Sequence, residues 1–294
     1  AAKALRGRTA MAAGGREDPM LLLSGQPVTT ARGGAAHWLG LLADGLARTP
    51  NGSPKLPLLF ARAAYWLGDQ DWAVRSALVE ALDRNGQERD AMALLAGSRT
   101  AQPPALQMRH AELLAEAGDM ASAVKLADGA ARSEPAARSL LIRFADIARR
   151  ANDPAAAERA YLGLEATLGD VADDAPLRGS LLIARAELKL QAGDWDGAAP
   201  LMEKAVNLRP GDATILNFAG YSALERRKNV KQSLARIEAA WKAEPQSASI
   251  TDSLGWAYFL TGRIDDAVPL LELAQRGDPG NAVIVEHLGD AYWQ

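Results

Sequence analysis

Residues 249–263, SITDSLGWAYFLTGR, place apolar side chains at helical spacing. At about 100° per residue, Leu254, Tyr258, Thr251 and Gly255 share one side of a helix, while Trp256, Phe259 and Asp252 point the other way. A glycine inside a helix costs about 1 kcal/mol relative to alanine, so Gly255 marks a place where a second helix must come close. The same word returns later: Leu254-Gly255-x-Ala257-Tyr258 falls on Leu288-Gly289-x-Ala291-Tyr292, 34 residues on. Between the copies come Gly262 at a turn, Ala267, Leu271 and Ala274 along a second helix, and Pro279, which cannot continue it. Small residues admit a close helix contact and large ones fill the space beside it. The pattern predicts a helix-turn-helix hairpin.

Upstream the grammar recurs with decay. Gly220, Ser233, Ala240 and Pro245 form one copy with one extra residue, and Ala186, Gly193, Ala198, Ala205 and Pro210 form another. Gly118-Asp119, Ala123, Ala130 and Pro135 repeat it, and Asn152-Asp153-Pro154 with Ala157 and Asn85-Gly86 with Ala91 mark two more turns. Residues 35–67 read as a degenerate hairpin, AAHWLGLLADGLAR and LPLLFARAAYWL, joined by Thr49-Pro50-Asn51-Gly52-Ser53-Pro54. The expectation is an all-α, right-handed superhelical solenoid of about seven hairpins and a final single helix. Residues 1–33 read as an irregular or helical N-terminal segment, 34–168 as degenerate hairpins, 169–176 as an acidic connector, and 177–294 as well-formed repeats ending in an incomplete one.

A 34-residue hairpin period resembles the tetratricopeptide repeat. Beyond the period, ILNFAGYSALE, SITDSLGWAYFLTGR and VEHLGDAYWQ resemble the C-terminal repeats of proteobacterial cell-envelope tetratricopeptide proteins, a group that includes the outer-membrane lipoprotein partner of a carboxyl-terminal processing protease. The match covers residues 213–294, and more loosely GAAHWLGLLADGLAR with LLFARAAYWLG. In that group Asp-Ser-Leu-Gly-Trp is followed one repeat later by His-Leu-Gly-Asp, here His287 to Asp290. The resemblance implies a noncatalytic scaffold that binds a protein or peptide and sits in the periplasm or at the outer membrane; a cytoplasmic location is the alternative. This sequence has no lipidation cysteine or signal and does not begin with methionine, so it reads as a fragment. Membrane association would then come only through an anchor outside it.

Composition narrows the chemistry. Lysine plus arginine (33) nearly balances aspartate plus glutamate (36), for a net charge of -3, so no basic field is available for nucleic acid. There is no cysteine, which excludes disulfides, thiolate metal sites and cysteine nucleophiles. No apolar run reaches membrane-spanning length, and the best, Leu56 to Gly68, carries Arg62. Asp252-Ser253 has no histidine partner evident in the sequence, LRGRTAMAAGG lacks phosphate-loop spacing, and three histidines supply no metal set. The expectation is no catalytic residue, metal, cofactor or small-molecule substrate. A cochaperone of the carboxylate-clamp type and the interaction half of a larger enzyme are the alternatives, and the oligomeric state is open.

First helices of such a solenoid line its concave surface. Positions equivalent to Asp252, Trp256 and Phe259 are Asn217, Tyr221 and Leu224 one repeat earlier, and Glu286, Asp290 and Trp293 one repeat later. Farther upstream the same side carries Glu112, Glu116, Asp146, Arg149 and Glu187, with Ile142 as an apolar exception. Together they predict a groove, aromatic at its C-terminal end and richer in acid than base, for an extended or helical partner segment. Within it Phe259 and Trp293 are expected to pack between consecutive first helices. Trp256 and Asp252, opposite the core, are expected to be spared by the fold and used for the partner. Trp195 and Trp241 read as structural, and His287, beside Glu286 and Asp290, as a satisfied surface or inter-repeat histidine.

Overall fold

The structure, a computed structural model, describes residues 28–47, 49, 52–68, 71–97, 102–132, 137–169 and 171–294. The expected N-terminal segment up to residue 27, the Pro50-Asn51 part of the first loop and the terminator Pro135 lie outside the described residues. Helices follow one another throughout: α1 Ala31–Ala47, α2 Lys55–Leu67, α3 Trp72–Asp83, α4 Glu88–Ala96, α5 Pro104–Glu116, α6 Met120–Ala131, α7 Arg138–Arg150, α8 Pro154–Ala166, α9 Ala175–Gln191, α10 Trp195–Leu208, α11 Ala213–Glu225, α12 Val230–Ala243, α13 Ala248–Leu260, α14 Ile264–Gly277 and α15 Ala282–Trp293. Among the described residues they pair as seven hairpins followed by a single helix, the number expected from the repeat. The chain divides between Leu168 and Gly169 into two compact units, α1–α8 and α9–α15.

Turn chemistry explains why each hairpin closes where it does. Gly86, Gly118, Gly193 and Gly262 hold φ between 68° and 90°, and Asn152 takes the same left-handed conformation at 52°. The next N–H then reaches back five residues to a carbonyl of the first helix: Asp119 to Leu114 at 2.9 Å, Asp153 to Ala148 at 3.0 Å, Asp194 to Lys189 at 2.8 Å and Arg263 to Tyr258 at 2.8 Å. In three of these turns an aspartate then caps the second helix, Asp119 accepting from the Ser122 N–H, Asp153 from that of Ala156 and Asp194 from that of Gly197. The α11–α12 turn carries the extra residue read in the sequence, and it is accommodated by two left-handed residues, Arg227 and Asn229, at φ 52° and 46°.

In the second unit, packing inside each hairpin follows one rule. The buried residues of the second helices are Ala198, Met202 and Ala205 in α10, Ser233, Ile237 and Ala240 in α12, and Ala267, Leu271 and Ala274 in α14. Each is a large apolar residue flanked by two small ones. The large residue faces a small position of its first helix. A Cβ at Gly255 would sit 2.7 Å from Leu271 Cγ, and one at Gly220 would sit 2.7 Å from Ile237 Cγ1 and 2.8 Å from the Ser233 carbonyl oxygen. Trp195 packs with Leu190 and Phe218 against the core of Ala186, Ala198, Met202 and Ala219, and Trp241 joins the cores around Ile250 and Leu254, as their positions predicted.

The acidic connector is shorter than expected because α9 already begins at Ala175, with Pro176 in its first turn. Before it, Ala172–Asp174 form a single 3-10 turn, and the buried Asp174 carboxylate accepts the Gly169 N–H at 2.6 Å.

Candidate partner-binding face

The first helices of the second unit, α9, α11, α13 and α15, lie side by side, so equivalent positions of successive repeats become neighbours. Across α11, α13 and α15 this assembles an aromatic and acidic cluster. The Trp256 indole stacks with two rings, Phe259 at a centroid distance of 4.7 Å and 13° between planes, and the His287 imidazole at 4.0 Å and 9°. Its Nε1–H donates to the Glu225 carboxylate at 2.5 Å. Beneath the stack, His287 Nδ1 lies 3.0 and 3.1 Å from the two carboxylate oxygens of Asp252. Both residues of that pair are buried.

Above this floor the face opens. Tyr221, Trp256, Phe259 and Asn217 are half-buried, and Glu225, Glu286 and Asp290 are exposed. Burial pushes the Tyr221 phenol up to about 12, helped by the negative charges of Glu225, Asp252 and Glu286. Glu286 and Asp290 form no ion pair among the described residues.

The corresponding face of the first unit differs. There Arg109 of α5 gathers Glu80 at 2.9 Å, Asp83 at 2.5 Å, Glu112 at 3.5 Å and Glu116 at 3.7 Å, and Arg143 of α7 meets Glu112 at 2.5 Å. The carboxylates expected upstream, Glu112 and Glu116, are therefore engaged by arginines of the same unit. Burial still holds Glu116 above the usual carboxylate range, against the opposing pull of Arg109.

Three expectations need correcting. Asp252 was expected to serve a partner, but at 5% exposure it is a buried partner of His287. Trp256 was expected to be spared by the fold, but it is a packing element between α11, α13 and α15. Trp293 was expected to pack between first helices, but it is 91% exposed, because among the described residues no further first helix lies beside α15. Phe259 packs against a core of Ala267 and Leu271 from the second helix α14 and Ala291 from α15. Sequence reading sought a partner for His287 within its own helix and missed Asp252. The missed signal was spacing by one repeat: Asp252 and His287 are 35 residues apart, and His37 and Asp71, paired at 2.8 Å in the first unit, are 34 apart.

Among the described residues no three histidine, aspartate or glutamate side chains form a group able to hold a metal ion, and no helix is long and apolar enough to cross a membrane.

Stacked helix hairpins with a small–large–small seam and a side-chain-rich first-helix face define an α-solenoid of the repeat-protein class. The sequence pattern of the tetratricopeptide repeat family matches residues 183–232 and 219–282, within the second unit. A TPR repeat-containing protein of Pseudomonas aeruginosa is 26% identical over 184 residues, which is 63% of this chain and 30% of that protein. The chain thus spans under a third of the length of the curated relative it matches. Among solved structures, the C-terminal part of a TPR repeat-containing protein from Cytophaga hutchinsonii is similar with a TM-score of 0.60 at 12% identity, over 85% of this chain and 99% of that one. A tetratricopeptide repeat protein from Parabacteroides merdae is similar with a TM-score of 0.53 at 14% identity, over 88% and 99% of the two chains. These likenesses concern the fold.

Proposed function

We propose that this chain is a noncatalytic scaffold that captures a segment of a partner protein on the first-helix face of its second unit. The observation that carries the reading is the juxtaposition of half-buried rings, Tyr221, Trp256 and Phe259, with the carboxylates of Glu286 and Asp290, which form no ion pair among the described residues. Rings already ordered by packing offer contact area at low entropic cost, and exposed carboxylates orient a cationic or hydrogen-bonding segment. The acidic character disfavours a carboxylate clamp, which requires converging cations. The resemblance of residues 213–294 to cell-envelope proteins supports siting the scaffold in the bacterial cell envelope, where it would bring a protease or a peptidoglycan-modifying enzyme to its substrates.

The test is capture from an envelope extract on immobilised protein, with bound proteins identified by mass spectrometry. Glu286→Lys/Asp290→Lys, which alters only exposed side chains, is expected to lose the specific partner while keeping the wild-type melting midpoint. The same partners at the same yield from both proteins would overturn the proposal.

A further inference from the structure

A cleft in the middle of the first unit lies apart from the partner-binding face. It has a volume of about 300 Å³ and sits where α6 and α8, two consecutive second helices, meet beside α7. Its floor is apolar, since Ala131, Leu141 and Phe144 line it and are 4%, 5% and 1% exposed. The space exists because α8 is short of side chain at two positions. Six and nine residues beyond Ala157, the first small residue of its buried seam, α8 carries Gly163 and Ala166, both in the cleft wall. At the same offsets α10 carries Lys204 and Asn207 beyond Ala198, and α14 carries Leu273 and Arg276 beyond Ala267. The rim is charged. Asp128 accepts from Arg132 Nε at 3.0 Å and Nη2 at 2.8 Å, and from Arg159 Nη2 at 3.1 Å. One carboxylate thus serves two guanidiniums, which have no other acceptor among the described residues, so most of their N–H donors are left for solvent or a ligand.

We propose that this cleft binds a short aliphatic group ending in a carboxylate, with the aliphatic part against Leu141 and Phe144 and the carboxylate on Arg132 and Arg159. Three properties of the cleft select that chemistry. Its apolar floor is matched by an apolar body, and its charged rim by a polar group at one end of the ligand. Two guanidiniums and the Asp128 carboxylate together leave one positive charge, which suits a monoanion, whereas a phosphate group brings about two negative charges. Guanidinium forks also fit a carboxylate through paired N–H···O bonds, as Arg132 already does with Asp128. The volume sets the length, equalling about ten waters at about 30 Å³ each. That is room for one branched side chain or a medium-length alkyl chain. Such a group exists as a free alkanoic acid and as the C-terminal residue of a polypeptide.

The probes are octanoate, an acetylated Ala-Ala-Leu tripeptide with a free C-terminus, and the neutral amide of each, titrated into the full chain by calorimetry while methyl NMR follows Leu141. At least one acid is expected to bind saturably, to shift the Leu141 methyls, and to bind at least about tenfold tighter than its amide. Arg159→Gln, which leaves the Arg132–Asp128 pair in place, should weaken binding by a similar factor. Ala166→Phe, which fills the cleft from an exposed position, should abolish it, and both variants should keep the wild-type melting midpoint. Tighter binding of the tripeptide would assign the cleft to a polypeptide end, and tighter binding of octanoate to a free acid; either result supports the proposal. It would be overturned if neither acid saturates, if the amides bind as tightly as the acids, or if inorganic phosphate competes as well as octanoate. Binding that neither variant changes would overturn it equally.

Discussion

Replacing Gly255 by leucine tests the packing rule of the hairpins directly. The first added carbon would stand 2.7 Å from Leu271 Cγ, 2.9 Å from its Cδ2 and 3.2 Å from its backbone nitrogen. Carbon atoms rest at about 3.5–4.0 Å, so α14 must move by close to 1 Å or Leu271 must leave its rotamer before the rest of the new side chain is placed. Overpacking of this kind costs about 1–3 kcal/mol. It works against a gain of about 0.8 kcal/mol from removing an interior glycine, which leaves a net loss of about 0.2–2.2 kcal/mol. The control is the same substitution one repeat on: Gly289→Leu meets nothing within 4 Å and keeps only the favourable term. Urea unfolding followed by circular dichroism at about 222 nm should therefore separate the two variants, Gly255→Leu melting earlier than wild type and Gly289→Leu at or above it. A Gly255→Leu midpoint equal to wild type, or an equal loss in both variants, would refute the reasoning.

Other expectations concern the cluster on the first-helix face. Trp256→Ala removes two ring stacks, each worth about 0.5–1.5 kcal/mol beyond burial, so it should destabilise the second unit by at least about 1–3 kcal/mol, with Trp256→Phe intermediate; a wild-type denaturation curve for the alanine variant would count against the stacking. Asp252→Asn and His287→Gln should show a coupling of about 0.5–3 kcal/mol in a double-mutant cycle, and strict additivity would mean that the buried pair does not act as one. Tyr221 should titrate near 12 in a spectrophotometric alkaline titration, and Tyr221→Phe should remove that step. Its folded value lies above the ordinary 10.0, so the unfolded chain releases its proton first, and the tyrosine's contribution to stability, full below about pH 10, declines between about 10 and 12. Wild type and Tyr221→Phe losing stability alike over that window would contradict this.

The hairpin array was legible because its determinants are local and repeated. A glycine or asparagine that accepts positive φ, an aspartate that caps, and alanines at fixed offsets each act within one hairpin, and each left a mark in the sequence. Even the extra residue in the α11–α12 turn was visible as a lengthened period, although the pair of left-handed residues that absorbs it was not, since Arg227 has no intrinsic preference for that conformation. The start of α9 was misjudged because Asp173 and Asp174 read as solvated connector, whereas Asp174 is buried and bonded to the Gly169 N–H.

The binding face was less legible, for a geometric reason. A helical wheel gives the direction in which a side chain leaves its own axis, and for Asp252 and Trp256 it pointed away from the hairpin partner, to where both meet His287 of α15. In a stack of hairpins, however, that direction contains both open surface and the seam with the next first helix. Which of the two a residue meets depends on the residue one period away. Asp252 meets His287 across the seam and is buried, while Glu286, at the equivalent position of α15, has no such neighbour among the described residues and remains exposed. Trp256 and Asp290 are likewise equivalent by position, yet one is held between two rings and a carboxylate and the other stands free. Pairs at one-repeat separation, such as Glu203 with Arg236 at 33 residues and Asp128 with Arg159 at 31, therefore carry the information that a single helix withholds. Searching for complementary side chains at that separation would have found Asp252 and His287 together, and would have left Glu286 and Asp290 as the charges still seeking a partner.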